Sequence, residues 1–270
     1  MPTSTILPNV EGLNRDDLDR RIVAMYRDVA TDAHVDLHFP IGRRLAEALG
    51  YPYDLLDRLP AQAVRSFAGV GYHLDLAYLR PGERVLDLGS GAGMDVFAAA
   101  NQVGPAGAVA GVDMTPEQVA KANRARREHH TRFHEGRIEE LPFSDASFDV
   151  VISNGVINLS ADKPRVFAEA ARVLRPGGRL AVSDIVTARE IDDPITARSE
   201  LWAACIAGAT PARRYFDEIA DAGFHVHHVR RNSYRFTSER ARRATDRFGA
   251  RSISLLAVKP TTTKTQEVSR

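Results

Sequence analysis

Short apolar runs alternate with helical segments through the middle of the chain. The runs are RVLDLG (84–89), AVAGVD (108–113), TRFHEG (131–136), FDVVISN (148–154) and RLAVSDIV (179–186). The segments between them, such as MDVFAAANQVG and DKPRVFAEAARVLR, carry apolar residues at helical spacing. The strands are apolar along their length rather than at alternate positions, which is typical of strands buried on both faces. This alternation predicts an α/β fold with a doubly wound parallel sheet.

Both ends of the chain depart from this alternation. LNRDDLDRRIVAMYRDV, GRRLAEALG and YPYDLLDRLP form a mostly helical front segment that ends at about Pro60. After Val186, ITARSELWAACIAGA and ARRYFDEIADAGF are helical, and HVHHVRR and SISLLAVK are two strands expected to pair at the sheet edge. We therefore predict an N-terminal helical lid over residues 1–65, one domain over 66–260 and a disordered tail over 261–270.

The amino-acid composition limits which binding partners and which cellular compartment are expected for the chain. The chain has 270 residues, of which 44% are hydrophobic and 26% charged, with a formal net charge of +1. This balance does not favour nucleic acid or a membrane surface. The lone cysteine, Cys205, excludes an internal disulfide and fits a reducing cytoplasm. No signal peptide is expected at the N-terminus, and no apolar run approaches the ~18 residues of a membrane span.

A glycine-rich loop follows the first strand, in the stretch DLGSGAGMD. In open parallel sheets, ligands bind beside such a loop at the carboxyl ends of the strands. Gly89, Gly91 and Gly93 allow tight turns and close approach of backbone to ligand. The dinucleotide fingerprint requires a further glycine where Met94 stands, which disfavours a nicotinamide oxidoreductase. Asp87, two residues ahead of the loop, would repel a pyrophosphate but suits the ammonium of an amino-acid moiety.

Two further strand ends supply groups for a nucleoside. Asp113 closes the second strand, where a carboxylate can accept hydrogen bonds from ribose hydroxyls; capping of the next helix is its alternative role, although Thr115 suits that better. Met114 offers a soft apolar surface to a purine. Ile138 can pack on the adenine and Glu139 can accept from its amine, or Glu139 is a plain surface carboxylate. An amino-acid end, a ribose and an adenine together describe S-adenosyl-L-methionine (SAM).

The core from Gly69 to about Lys259 resembles the class I SAM-dependent methyltransferases, and within them the arsenite methyltransferases. GVDMTPE and SN-VINLS-DK are fairly specific to the arsenite group, whereas the glycine loop and RVLRPGG are shared more widely. The resemblance implies a Rossmann-like, mostly parallel seven-stranded sheet with SAM as cofactor. It implies cofactor-binding roles for Tyr26, Asp87, Gly89, Ser90, Gly91, Gly93, Asp113, Met114, Ile138, Glu139, Ser153 and Asn154.

The chain departs from the arsenite group at the cysteines that hold As(III). Val70 stands in place of the first cysteine and Gly155 in place of the second, so that only Cys205 remains. Because a soft ion needs several thiolates, arsenite is expected as acceptor only if external thiols complete its coordination. Gly155, which has no side chain, is expected to leave room for a larger acceptor.

Several residues are candidates for binding or deprotonating the methyl acceptor, but no sequence motif selects among them. His73 is the candidate general base, since an ordinary histidine pKa near ~6.5 suits abstraction of a proton from a phenol, thiol or activated carbon. No metal site is expected, because the histidines around position 36 lack a third well-spaced ligand. The candidate substrate-binding residues are His38, Tyr72, Asn158, Trp202 and Cys205, of which Tyr72 and Trp202 could equally belong to the core.

The sequence therefore predicts a SAM-dependent methyltransferase with a small, apolar or aromatic acceptor, secondary metabolites included. Two alternatives stay open: an arsenite methyltransferase that uses Cys205 with external thiols, and a protein of the same fold with a cyclase or scaffold role.

Overall fold

The computed structural model of the chain describes residues 15–31, 40–127, 129–191, 208–237 and 239–261. Its strands are β1 (Arg84–Leu88), β2 (Ala108–Asp113), β3 (Thr131–Glu135), β4 (Phe148–Asn154), β5 (Leu174–Val186), β6 (His225–Arg231) and β7 (Arg251–Val258). Its helices are α1 (Arg15–Ala30), α2 (Arg43–Ala48), α3 (Tyr53–Arg58), α4 (Ala61–Arg65), α5 (Leu74–Ala77), α6 (Met94–Val103), α7 (Pro116–Ala125), α8 (Lys163–Val173), α9 (Ala212–Asp221) and α10 (Glu239–Phe248), with a 3₁₀ turn at Ile157–Leu159.

The strands form one sheet in the order β3-β2-β1-β4-β5-β7-β6. Strands β1 to β5 pair in parallel, β7 pairs antiparallel with β5, and β6 pairs antiparallel with β7. This confirms the predicted doubly wound, mostly parallel seven-stranded sheet. The chain order reverses between β1 and β4, and the crevice above such a switch point is where ligands bind in open α/β sheets.

The central strands β1 and β4 are continuously apolar because helices cover both of their faces. Val85 and Ile152 belong to the core on the side of α6, whereas Leu86 and Val151 belong to the core on the side of α8. All four are completely buried. Since successive side chains of a strand point to opposite faces, a strand covered by helices on both sides needs apolar residues at every position.

Strand β5 differs from its predicted form. It begins at Leu174, five residues before the predicted start, because Leu174 pairs with Phe148 before the Pro-Gly-Gly turn and Arg179 pairs with Val150 after it. The turn is therefore an irregularity within the strand rather than a break between helix and strand. A local turn signal does not reveal that pairing resumes on both sides of it.

The last two strands pair as predicted, but helix α10 lies between them in the chain. Strand β7 occupies the interior position and is almost entirely buried, whereas the edge strand β6 is mostly exposed. The predicted helical stretch within residues 192–207 and the tail over 262–270 lie outside the described residues. No helix in the described part of the chain is long and apolar enough to cross a membrane.

Candidate functional site

A cleft opens at the carboxyl ends of β1, β2 and β4, directly above the switch point of the sheet. It encloses about 960 Å³ of space not filled by protein atoms, its open mouth included. The predicted cofactor residues that line it are Tyr26, Asp87, Gly89, Ser90, Gly91, Asp113, Met114, Ile138, Glu139 and Asn154. The structure thus brings together residues from five separate stretches of sequence.

The glycine loop forms the floor of the cleft. The amides of Gly89 and Ser90 both donate to the carbonyl oxygen of Val112, at 2.8 and 2.9 Å, which ties the loop to the end of β2. Gly93 caps α6 with φ of +89°, and a Cβ added there would lie 2.7 Å from Cζ of Phe133. Gly93 therefore does not line the cleft but closes the turn beneath it.

Asp113 anchors this loop from the side of the second strand. One carboxylate oxygen accepts from the amide of Gly91 and the other from the amide of Thr115, both at 2.8 Å. Burial raises the pKa of Asp113, and the two amide donors oppose that rise. Each oxygen keeps acceptor capacity for a further donor. The carboxylate thus holds the glycine loop and the N-cap residue of α7 in place and still faces the cleft.

Asp87 is a buried carboxylate in the cleft wall. Its residue surface is 3% exposed, and within the described residues its carboxylate accepts no hydrogen bond. Burial, followed by the nearby carboxylates of Asp95 and Asp113, raises the pKa of Asp87 well above its ordinary value. A buried carboxylate in this state is stabilised by a cation, which the cleft is open to admit.

The opposite end of the cleft carries the residues predicted for adenine. Ile138 is buried, and one carboxylate oxygen of Glu139 accepts from the hydroxyl of Ser160 at 2.5 Å. The other oxygen lies 3.5 Å from Nε of Arg137. Glu139 is therefore held in place by two neighbours that also line the cleft, rather than projecting freely from the surface.

Helix α1 forms the roof. Asp19, Ile22 and Tyr26 line the cleft from this helix. Arg137 donates to Asp19 at 2.6 Å, and Nε2 of Gln118 donates to the carbonyl oxygen of Tyr26 at 2.9 Å. The described part of the predicted lid is thus attached to the cleft wall by polar contacts.

Two predicted site residues near the end of β4 are built into the protein interior. The hydroxyl of Ser153 donates to the carbonyl oxygen of Leu88 at 3.1 Å. The side-chain amide of Asn158 donates to the carbonyl oxygen of Ile185 at 2.5 Å, and its backbone amide donates to Asp184 at 3.1 Å. Both residues are fully buried, and neither lines the cleft.

The candidate base, His73, is completely buried at the start of α5 and does not line the cleft. Both of its ring nitrogens lack a hydrogen-bond partner, and burial lowers its pKa. Tyr72 is half-buried, with its ring centroid 4.5 Å from that of Tyr51, and also lies outside the cleft lining. His38, Trp202 and Cys205 lie outside the described residues.

The two positions at which the resemblance places cysteines are neighbours in space. Gly155 has φ of +74°, and a Cβ added there would lie 3.3 Å from Cγ1 of Val70. Val70 is buried with apolar residues that include Ile185. The prediction that Gly155 leaves open space is therefore wrong at this point, because the side chain of Val70 fills it. Within the described residues, no group of three or more histidines, cysteines or acids could hold a metal ion.

Sequence reasoning missed two buried residues at the cleft. Asp95, in the first turn of α6, lines the cleft, and the hydroxyl of Tyr51 donates to it at 2.6 Å. An acid directly after a glycine loop, at a helix N-terminus, is a signal that could have identified Asp95. No local signal marks Tyr51, since its partner lies far along the chain.

Comparisons with known proteins agree with this geometry. The profile of the family described as "Methyltransferase domain" matches residues 79–243. An arsenite methyltransferase of Halobacterium salinarum is 44% identical over 182 residues, which cover 66% of this chain and 46% of that protein. A 27-O-demethylrifamycin SV methyltransferase of Amycolatopsis mediterranei is 40% identical over 114 residues, which cover 40% of each protein.

A solved structure extends the likeness over more of the chain. The arsenic(III) SAM methyltransferase of Chlamydomonas reinhardtii superposes with a TM-score of 0.63 at 30% identity, covering 83% of this chain and 76% of that one. The chain spans about half the length, or less, of the arsenite methyltransferases that it matches. With the family profile, the switch-point cleft and the sheet order in agreement, the chain belongs to the methyltransferase-domain family, the class I SAM-dependent methyltransferases.

Proposed function

We propose that the chain is a SAM-dependent methyltransferase that acts on a small-molecule acceptor. The observation that carries the proposal is Asp87, a buried carboxylate on the cleft wall that accepts no hydrogen bond within the described residues. The ammonium of the methionine moiety supplies the cation that this carboxylate requires. Asp113, which keeps acceptor capacity beside the glycine loop, suits the ribose hydroxyls.

The remaining cofactor residues have roles that follow from their places in the cleft. Ile138 and Met114 provide apolar surface for the adenine, and Glu139 accepts from its amine. Gly89, Ser90 and Gly91 bring backbone close to the ligand, while Gly93 and Ser153 support the loop and strand from behind. Tyr26 covers the cleft from α1.

When bound, SAM would supply a methyl group on a sulfonium: a lone pair of the acceptor atom would bond to the methyl carbon in line, and the electron pair of the breaking C–S bond would stay on the departing thioether sulfur. This reaction disperses an existing charge, so that positioning and exclusion of water matter more than new electrostatic stabilisation. The roof of α1 and the anchored glycine loop meet both needs. His73 stays our candidate for removing an acceptor proton, although its ring is buried and does not line the cleft.

The acceptor is proposed to be apolar or aromatic, secondary metabolites included. The support is the absence of thiols from two positions that touch in space, Val70 and Gly155, and the buried apolar cluster to which Val70 belongs. Its members are Val70, Ile185, Ile191, Ala209, Phe248 and Ala250, with Tyr234 and Phe236 packed against them. The relative named 27-O-demethylrifamycin SV methyltransferase, 40% identical over 114 residues, supports an organic acceptor. Tyr72, Asn158, His38, Trp202 and Cys205 stay candidates for this side.

Two alternatives have specific support. The identity to arsenite methyltransferases favours As(III) as acceptor, with external thiols completing coordination at Cys205. The enclosure of His73 favours a protein that binds SAM without transferring its methyl group, as a cyclase or scaffold. We further propose a cytoplasmic location, supported by the single cysteine, and no nucleic-acid or membrane partner, supported by the net charge of +1.

Calorimetry with SAM, S-adenosylhomocysteine (SAH) and NADH tests the cofactor assignment. We expect binding of SAM and SAH and none of NADH; affinity for NADH alone would overturn it. Transfer of radiolabelled methyl groups into fractionated small-molecule extracts, with arsenite plus glutathione as a parallel reaction, then tests the acceptor. Label in an organic product supports the proposal, label in arsenic alone supports the first alternative, and SAM binding without label in either supports the second.

A further inference from the structure

The side-chain amide of Asn154 lies at the centre of a hydrogen-bond network that joins the cleft to the 69–72 loop. Its oxygen accepts from the backbone amides of Val70 at 2.8 Å and Gly71 at 3.3 Å. Its nitrogen donates to the carbonyl oxygen of Gly71 at 2.9 Å, to the hydroxyl of Tyr51 at 3.1 Å and to Asp95 at 3.2 Å. Asn154 thus contacts the loop on one side and two buried residues on the other.

The network allows only one orientation of this amide. A flipped side chain would place the NH₂ group against the amide donors of Val70 and Gly71, and the oxygen against a carboxylate. The hydroxyl of Tyr51 donates to Asp95 at 2.6 Å and so has its oxygen free to accept from Asn154. Tyr51 and Asp95 are 2% and 5% exposed, so that water does not compete for these bonds.

The same loop is held on its other side by the sheet. The hydroxyl of Ser252 donates to the carbonyl oxygen of Val70 at 2.6 Å, and Arg230 donates to that of Tyr72 at 2.5 Å. A Cβ added to Gly69 would lie 2.5 Å from Nδ2 of Asn154, so that position 69 must be a glycine for the network to form. The loop is therefore fixed to the body of the sheet, and its remaining freedom depends on Asn154.

Two members of this network also line the cofactor cleft. Asp95 and Asn154 face the cleft, and Asp95 lies close enough to Asp87 to raise its pKa. On the far side, the loop carries Val70, which packs against Gly155 in the apolar cluster. The network therefore connects the cleft at Asp95 and Asn154 with the buried apolar cluster that contains Val70.

We propose that Asn154 is a positioning residue through which occupancy of the cofactor cleft fixes the 69–72 loop, with Tyr51 and Asp95 holding its amide in orientation. This rests on the proposed function, since SAM or SAH is the occupant. A ligand against Asp95 and Asn154 restricts both side chains, and the restricted Asn154 holds the amides of Val70 and Gly71 more firmly. Binding of the cofactor then orders the loop, and with it the packing of Val70 in the apolar cluster, before the acceptor arrives.

Amide hydrogen exchange of the full chain, with and without saturating SAH, tests this proposal. In the wild type we expect exchange of the Val70 and Gly71 amides to slow about tenfold on addition of SAH, on the scale of one strengthened hydrogen bond. In Tyr51→Phe, SAH is expected to bind within a few-fold of wild-type affinity while this slowing is largely lost. In Asn154→Ala, the two amides exchange about tenfold faster even without SAH. Tyr53→Phe, at an exposed tyrosine near Tyr51, is the matched control and should behave as wild type.

Amides of β1 serve as an internal reference, because general destabilisation would accelerate them together with the loop. The proposal is overturned if SAH binds the wild type without slowing Val70 and Gly71, or if Tyr51→Phe retains the full slowing. If calorimetry detects no SAH binding, the proposed function fails as well as the coupling. The positional role of Asn154 is still decided in that case, since Asn154→Ala must release the two amides selectively.

Discussion

The same isosteric substitution is expected to have opposite effects on stability at two neighbouring carboxylates of the cleft. Asp87 is buried and accepts no hydrogen bond within the described residues, so Asp87→Asn removes an uncompensated charge. Asp113 accepts from the amides of Gly91 and Thr115 at 2.8 Å, so Asp113→Asn turns an NH₂ group toward one of these donors. Without ligand, the first variant should be more stable than the wild type and the second less stable.

The magnitudes follow from the cost of unsatisfied buried groups. Leaving such a group without a partner costs about 1–3 kcal/mol, and more when it is charged. We therefore expect the free energy of unfolding at pH 8 to rise by roughly 1–3 kcal/mol in Asp87→Asn and to fall by a similar amount in Asp113→Asn. Both variants lose a partner for the ligand, so both should bind SAH about 10- to 100-fold more weakly.

The stabilisation at Asp87 should depend on pH in a defined direction. Because burial and the carboxylates of Asp95 and Asp113 raise its pKa, the folded chain binds the proton more tightly than the unfolded chain. Wild-type stability from this group is therefore complete below the unfolded value near ~3.9 and is lost as pH rises through the raised folded pKa. The gain in Asp87→Asn should be small at the acidic end of this window and largest above it.

Urea denaturation across this pH range, together with calorimetry of SAH binding, measures both quantities on the same samples. Asp113→Asn is the matched control, since the two substitutions change the same number of atoms and the same charge. The reasoning is refuted if Asp87→Asn is less stable than the wild type at pH 8, or if it keeps wild-type affinity for SAH.

Three further predictions concern neighbouring features. Gly155→Ala should lower the free energy of unfolding by about 1–2 kcal/mol in urea denaturation, because φ is +74° there, and an unchanged stability would contradict the strain. Burial raises the pKa of Asp184 to about 7, and the Tyr215 hydroxyl, which donates to that carboxylate at 3.0 Å, opposes the rise. Tyr215→Phe should therefore raise this pKa further in a carbon-detected NMR titration, and a lowered pKa would contradict the reasoning. Arg137→Ala should weaken SAH binding less than about fivefold, since its pair with Asp19 is half-exposed and such pairs contribute under about 1 kcal/mol; a much larger loss in calorimetry would show that Arg137 contacts the ligand itself.

The sheet and the cofactor side of the site could be predicted because their signals are local. A parallel strand buried on both faces needs a continuous apolar run, and a glycine loop with an acid ahead of it occupies consecutive positions. Asp87, Gly91 and Asp113 could therefore be assigned to one cleft without knowledge of any contact. Their positions follow from the rule that parallel strands end at the same edge of the sheet.

The rest depends on contacts between distant residues, which no local pattern encodes. Tyr51 reaches Asp95 and Asn154 across more than forty positions of sequence, and an isolated tyrosine after a glycine carries no mark of that role. The irregularity in β5 has the same origin, since only the pairing with β4 on both sides of the Pro-Gly-Gly turn places that turn within the strand. The sequence offers His73 as a candidate base, whereas the fold encloses its ring in the interior.

The neighbouring positions of Val70 and Gly155 bear on how this chain selects its acceptor. Thiols at two touching positions would give directional bonds to a soft ion, whereas a valine against a glycine offers only dispersion and hydrophobic contact. Such contacts distinguish acceptors by shape, and only when the surface that presents them keeps one conformation. The 69–72 loop, which carries Val70, is fixed on one side by a hydrogen bond that the Val70 amide donates to Asn154, and on the other by one that Ser252 donates to the Val70 carbonyl oxygen. With a valine and a glycine in place of two thiols, an apolar acceptor of the kind proposed above would be selected by the shape of this buried cluster, which the hydrogen bonds to the 69–72 loop hold in one conformation.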